Sequence, residues 1–240
     1  MRTLEKLFGL NKHKRLKIWE NSQEFEFKHC RLFMESDAFK SYYAQLRSEP
    51  SAERTRQMRE GLSNLFFKGH EDEFPAICEH ARQRQNLEIG SSCAPAIFAF
   101  ESEVEPVIIE PMGQKIVDYQ RKHFADDVFQ HSRLFTMDAA IPIEELKGKI
   151  DGVIYVRNCI DHTPKWPFIM ANIAHYAKPG CKLIFWSEMS HGPAPDIGHY
   201  NITDDVNDFL GLVDALGFEV DHHFSNVPSL PDLGLVATKR

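Results

Sequence analysis

Leu87-Glu88-Ile89-Gly90-Ser91-Ser92-Cys93-Ala94-Pro95, followed about twenty residues on by Pro106-Val107-Ile108-Ile109-Glu110-Pro111, is the stretch that decides how this chain folds. Residues 86–90 read as a short strand that breaks into a turn of small residues, and 106–110 read as a second strand ending on an acid. Working outward, 132–137, 151–156 and 182–186 repeat the short apolar run. Amphipathic helical stretches intervene at 113–124 and 166–177, and Lys178-Pro179-Gly180 breaks the second of these. Thr203 opens a further helix, with Asp204 and Asp205 suited to its first turn, and it ends near Leu216-Gly217. Residues 218–224 and 233–238 close the chain as two strands.

Strand–helix–strand repetition implies a mainly parallel sheet with right-handed crossovers. The last two strands are joined by about eight residues, too few for a crossover helix, and are expected to pair antiparallel. The expected fold is therefore α/β: a Rossmann-like three-layer sandwich around a mainly parallel seven-stranded sheet with a C-terminal antiparallel hairpin. Before residue 85 the pattern is helical and rich in aromatics (Trp19, Phe25, Phe27, Phe33, Tyr42, Tyr43), with Ser51 a candidate N-cap ahead of a helix at 54–65. Residues 1–84 read as an N-terminal helical cap and 85–240 as the ligand-binding domain.

Composition bounds the function classes. Hydrophobic residues make up 42% and charged residues 26% of 240, ordinary values for a globular chain. No run of about eighteen apolar residues suggests a membrane span, and the N-terminus lacks the apolar core of a signal peptide. The five cysteines are odd in number and form no CxxC pair, which fits a reducing, cytoplasmic setting. A formal charge of −7 argues against nucleic acid as the partner, with 12–17 the sole basic stretch.

In an open α/β sheet, ligands bind beyond the carboxyl ends of the strands. Glu88, Gly90, Ser91, Ser92 and Ala94 form the turn after the first strand, where backbone N–H groups approach a ligand. Glu110, with Pro111 and Met112 behind it, ends the second strand, where an acid suits two ribose hydroxyls. Asp138 and Ala139 follow the third strand at the expected adenine edge. Asn158, Asp161 and His162 follow the fourth, where the substrate end of a pocket falls. His162 is the candidate base, since imidazole titrates near neutrality; it could equally hydrogen-bond the loop and order the pocket wall, and Asp161 could equally support a helix start. His191, His199 and Tyr200 follow the fifth strand as candidate substrate contacts or solvated loop residues. No metal site is expected, because separated histidines need a third ligand.

From about residue 86 to 240 the chain resembles class I S-adenosylmethionine-dependent methyltransferases. The motifs are LEIGSSCAP, VIIEP, MDAAIP, DGVIYVRNCIDHTPKW with HYAKPGCKLIFW, and GHYNITDDVNDFLGLVDALGFEV. The resemblance implies S-adenosylmethionine as cofactor and methyl transfer to a small-molecule acceptor, with a non-catalytic binder of the cofactor or a nucleoside as the alternative. One departure stands out: where the family's first motif has its second and third glycines, this chain has Ser92 and Ala94. A Cβ at position 92 disfavours positive φ by roughly 1 kcal/mol.

Overall fold

Seven of the apolar runs pair into one sheet. The computed structural model describes residues 12–41, 52–124, 126–192, 198–225 and 231–240. The strands are β1 (Leu87–Ile89), β2 (Val107–Ile109), β3 (Arg133–Phe135), β4 (Val153–Arg157), β5 (Lys182–Glu188), β6 (Phe218–Phe224) and β7 (Asp232–Lys239). Their order is β3-β2-β1-β4-β5-β7-β6. β1 through β5 run parallel, and β7 inserts between β5 and β6, antiparallel to both. The order reverses between β1 and β4, so the loops after these two strands face each other across the switch point. Together with the solved structures compared below, this is the expected Rossmann-like α/β fold with its terminal antiparallel pair.

Helices cover both faces. α1 (Lys12–Glu35), α2 (Ala52–Phe66) and α3 (Glu73–Arg82) precede the sheet; α4 (Gly113–Phe124), α5 (Trp166–Tyr176) and α6 (Val206–Ala215) connect its strands. On α2, Met58, Leu62, Leu65 and Phe66 recur at helical spacing and turn inward. α1 presents buried Cys30 and Met34, one turn apart. α6 is capped by Asp205, whose side chain accepts from Asn207 N at 2.9 Å. The Ser51 cap, Tyr42, Tyr43 and the Trp19 side chain lie outside the described residues. Among the described residues, no helix is long and apolar enough to cross a membrane.

The first crossover contains no α-helix. Between β1 and β2 the chain makes a single 3₁₀ turn, Ile97–Phe100. The vacated flank is covered from the N-terminal side: Phe66 and Phe67 of the α2 end pack with Tyr155 of β4, Ile108 of β2 and Phe100 in one core cluster. Phe66 meets Tyr155 edge-on at 5.6 Å between ring centroids and Phe224 at 5.9 Å. Residues before and after 85 therefore share a core. Phe66→Ala is expected to destabilise the chain by about 3–5 kcal/mol. Chemical denaturation should show one transition moved to lower denaturant; a separate early transition confined to the N-terminal helices would contradict the shared core.

Candidate functional site

The turn after β1 is built on left-handed backbone. Gly90 has φ 71° and Ser92 has φ 53°. Gly90 N donates to Ile109 O at 2.9 Å. A Cβ at Gly90 would lie 2.6 Å from Cys159 Sγ, so glycine is required by both conformation and the approach of the loop after β4. Ser92 adopts the strained conformation despite its Cβ. Its hydroxyl lies 2.8 Å from Cys30 Sγ on α1, and its N–H donates to Glu110 Oε2 at 2.7 Å.

Both carboxylates of this region are buried. Glu88 accepts from Ala96 N at 3.1 Å and Ile97 N at 2.8 Å, tying down the loop that replaces a crossover helix. Burial pushes Glu88 up to about 7, against the pull of those two N–H groups. Glu110 accepts from Ser92 N and, through Oε1, from Met112 N at 2.9 Å; burial raises it as well. Pro111 turns the chain between them, and Ala94 N lies 3.4 Å from Ser91 O. At β3, Asp138 Oδ1 accepts from Ala140 N at 2.9 Å while Oδ2 pairs with Lys165 Nζ at 2.6 Å. Ala139 is buried, and its carbonyl accepts from Asn172.

After β4, Asn158 is left-handed at φ 45°, with its N–H on Trp186 O at 2.7 Å. Three imidazoles then gather around Asp161. Asp161 is fully buried; Oδ1 accepts from the Ser187 hydroxyl at 3.0 Å, and Oδ2 lies 3.1 Å from His191 Nε2 and 3.8 Å from His162 Nε2. His199 lies between the other two rings, 4.6 Å from each between centroids. Tyr200 N donates to Asp161 O at 2.7 Å, bringing the loop after β5 to this cluster. Two carboxylates complete it: Glu26 Oε1 of α1 is 3.1 Å from His162 Nδ1, and Glu188 Oε2 is 3.1 Å from His191 Nδ1. Burial acts to lower His162, but Glu26 and Asp161 outweigh it and the net direction is upward. The same contact holds Glu26 below the ordinary carboxylate range. Burial and then His162 lower His199.

The structure thus brings Gly90, Ser92, Glu110 and Asn158 to one switch point, and Asp161, His162, His191, His199 and Tyr200 to one cluster beside it. Glu26, Cys30, Lys165 and Glu188 escape a reading by sequence position. Glu26 stands in Phe25-Glu26-Phe27, where only the aromatics draw attention, and nothing local announces that its partner is 136 positions away. A cavity of about 510 Å³ also lies between α2 and the far side of the first loop, lined by Leu62, Leu65, Ala94, Pro95, Ala96 and Arg157 among others.

No family model matches the chain, and the curated proteins give no sequence match. Solved structures do match. A candidate methyltransferase from Bacillus halodurans aligns with TM-score 0.52 and 13% identity over 70% of this chain and 99% of that one. An S-adenosylmethionine-dependent methyltransferase from Mesorhizobium loti gives 0.50 and 11% over 70% and 97%. The CurJ carbon methyltransferase gives 0.48 and 14% over 66% of this chain and 49% of that one, so the chain spans about half its length. At these identities the likeness shows the fold alone, one that this chain shares with these methyltransferase structures.

The Glu88 burial has a pH signature. Unfolded, this carboxyl ionises near 4.5; folded, near 7, so between those values the folded state holds the extra proton. Stability from this group is complete below about 4.5 and is lost as pH rises through 7, by on the order of 3 kcal/mol. Thermal melts of Glu88→Gln should be flatter than wild type across this window; an unchanged slope would place the proton elsewhere.

Proposed function

We propose that this chain is an S-adenosylmethionine-dependent methyltransferase acting on a small-molecule acceptor, with 85–240 as the cofactor-binding domain and 1–84 as its cap. The observation that carries the reading is the convergence of left-handed Gly90, Ser92 and Asn158 at the switch point, one strand away from the Glu110 carboxylate. Strained residues cluster where a backbone must be held for a ligand.

The residues fit the cofactor chemically. A carboxylate offers about four lone pairs, and the backbone takes one on each Glu110 oxygen, leaving one each for two ribose hydroxyls. Glu110 is only 3% exposed, so its surroundings have to yield before those lone pairs are reached. Asp138, Ala139 and Met112 would hold the adenine side, with Pro111 shaping that wall. Ser91, Ser92, Ala94 and Asn158 would hold the methionine end, and Glu88 would keep the loop in place from behind. Bound S-adenosylmethionine supplies an electrophilic methyl group on a sulfonium sulfur. The chain's own task is then to align an acceptor, exclude water and, where the nucleophile carries a proton, to receive it. His162, oriented by Asp161 and Glu26, is positioned for that proton, and His191, His199 and Tyr200 would contact the acceptor. The charge of −7 supports a small acceptor over nucleic acid, and the five unpaired cysteines support a reducing, cytoplasmic setting.

The burial of Glu110 favours one second reading, a non-catalytic binder of the cofactor or a nucleoside that kept the fold. Calorimetry with S-adenosylmethionine and S-adenosylhomocysteine is expected to show saturable binding, and Glu110→Ala to weaken it by about 1–3 kcal/mol. No heat with either ligand at millimolar concentration would overturn the cofactor reading, and unchanged affinity in Glu110→Ala would remove the ribose from this strand. Formation of S-adenosylhomocysteine with a panel of phenols, amines and carbon acids separates the enzyme from the silent binder.

A further inference from the structure

We infer that Asp161, His162 and His199 form a binding site for a divalent transition-metal ion of the zinc or cobalt class at the acceptor end of the pocket. One donor atom from each residue lies within 4.8 Å of the other two. A tetrahedral ion with bonds of about 2.0–2.1 Å needs donors roughly 3.3 Å apart, a small contraction from this arrangement. Two imidazoles and a carboxylate are the donor set of open zinc-type sites, in which a further position is free for an oxygen ligand.

The surroundings orient these donors. Glu26 Oε1 lies 3.1 Å from His162 Nδ1, the ring nitrogen turned away from Asp161. His162 Nε2 lies 3.8 Å from Asp161 Oδ2. That separation is too long for a hydrogen bond and short enough for an ion to bridge the two atoms. Asp161 is itself fixed, by the Ser187 hydroxyl on Oδ1 and by His191 Nε2 on Oδ2, with Glu188 behind His191. His199 Nδ1 is buried and has no hydrogen-bond partner, a state that costs about 1–3 kcal/mol for a polar atom and that ligation relieves. Three carboxylates, Glu26, Asp161 and Glu188, share this space with three imidazoles, a concentration of nitrogen and oxygen donors that suits a divalent ion.

A second group, His70, Glu73 and His222, serves as contrast. There the rings stack face to face at 4.1 Å and 3°, and His222 Nε2 already lies 3.0 Å from Phe66 O. Both Nδ1 atoms of this group are already set against the Glu73 carboxylate, at 2.9 and 3.3 Å, with His70 and Glu73 exposed.

Metal binding does not require the methyltransferase reading; a role for the ion in holding the acceptor does, and with the ion bound His162 is a ligand rather than the proton acceptor. The test uses the full chain, stripped with chelator, titrated with zinc by calorimetry and with cobalt(II) by visible absorption. One saturable equivalent is expected, with cobalt d–d bands of low-coordinate nitrogen and oxygen ligation. His199→Ala should abolish saturable binding, Glu26→Gln should weaken it about tenfold through His162, and His70→Ala should leave it unchanged. Thermal melts accompany each variant, and His162→Gln replaces His199→Ala if the latter fails to fold. Absence of a saturable equivalent, or wild-type binding in the folded His199 or His162 variant, overturns the inference and leaves His162 as an imidazolium between Glu26 and Asp161. Titration of the same samples with S-adenosylhomocysteine keeps the two readings apart: cofactor binding without zinc removes only the ion, and zinc without cofactor binding removes only the methyltransferase.

Discussion

Two buried carboxylates stand in for a helix. Ordinarily the connection from the first to the second strand of such a sheet is a crossover helix whose internal hydrogen bonds satisfy its own backbone. Here the connection is a loop with one 3₁₀ turn, and its buried N–H groups need other acceptors. Glu88 takes those of Ala96 and Ile97, and Glu110 takes that of Ser92 while its other oxygen holds Met112 N just past β2. All four oxygens of the two side chains are engaged by backbone. Losing either would strand donors in a dry interior, a larger loss than the net worth of the bonds themselves. Taking two acids out of water is unfavourable, and the upward displacement of both by burial shows the cost. The loop keeps its path because the alternative, unpaired N–H groups under α2, is worse.

That loop explains how a serine can occupy a glycine position. The left-handed conformation of Ser92 costs roughly 1 kcal/mol, and three contacts offset it: the N–H on Glu110, the hydroxyl beside Cys30, and the Gly90 turn braced against Cys159. Asn158 repeats the conformation on the facing strand, where an Asn tolerates it better than most residues. The switch point is thus rigid on both sides, which suits a surface whose backbone has to meet a ligand closely.

Much of this was legible in the sequence because it is local. Gly90, the acid ending β2, the Pro179-Gly180 break and the antiparallel last strands all follow from patterns within a dozen residues. The missing helix in the first crossover is partly local too: Ser91 to Pro95 lacks helical periodicity, yet only the packing of α2 shows what fills the space. The histidine cluster was half legible. His162, His191 and His199 could be placed at strand ends, but their convergence on Asp161 depends on a loop path that no spacing encodes. Glu26, Cys30 and Lys165 were illegible for the same reason, since each acts on a residue at least 27 positions away.

The most consequential of those distant contacts share one turn of helix. Glu26 and Cys30 are four residues apart on α1, so they lie on the same face. Glu26 touches His162 in the histidine cluster, and Cys30 touches Ser92 in the turn after β1. One helix therefore reaches both groups of residues. The turn after β1 and the histidine cluster are in this way joined through a helix that precedes the whole sheet, which is reason to count α1 with the residues at the switch point rather than as their wrapping.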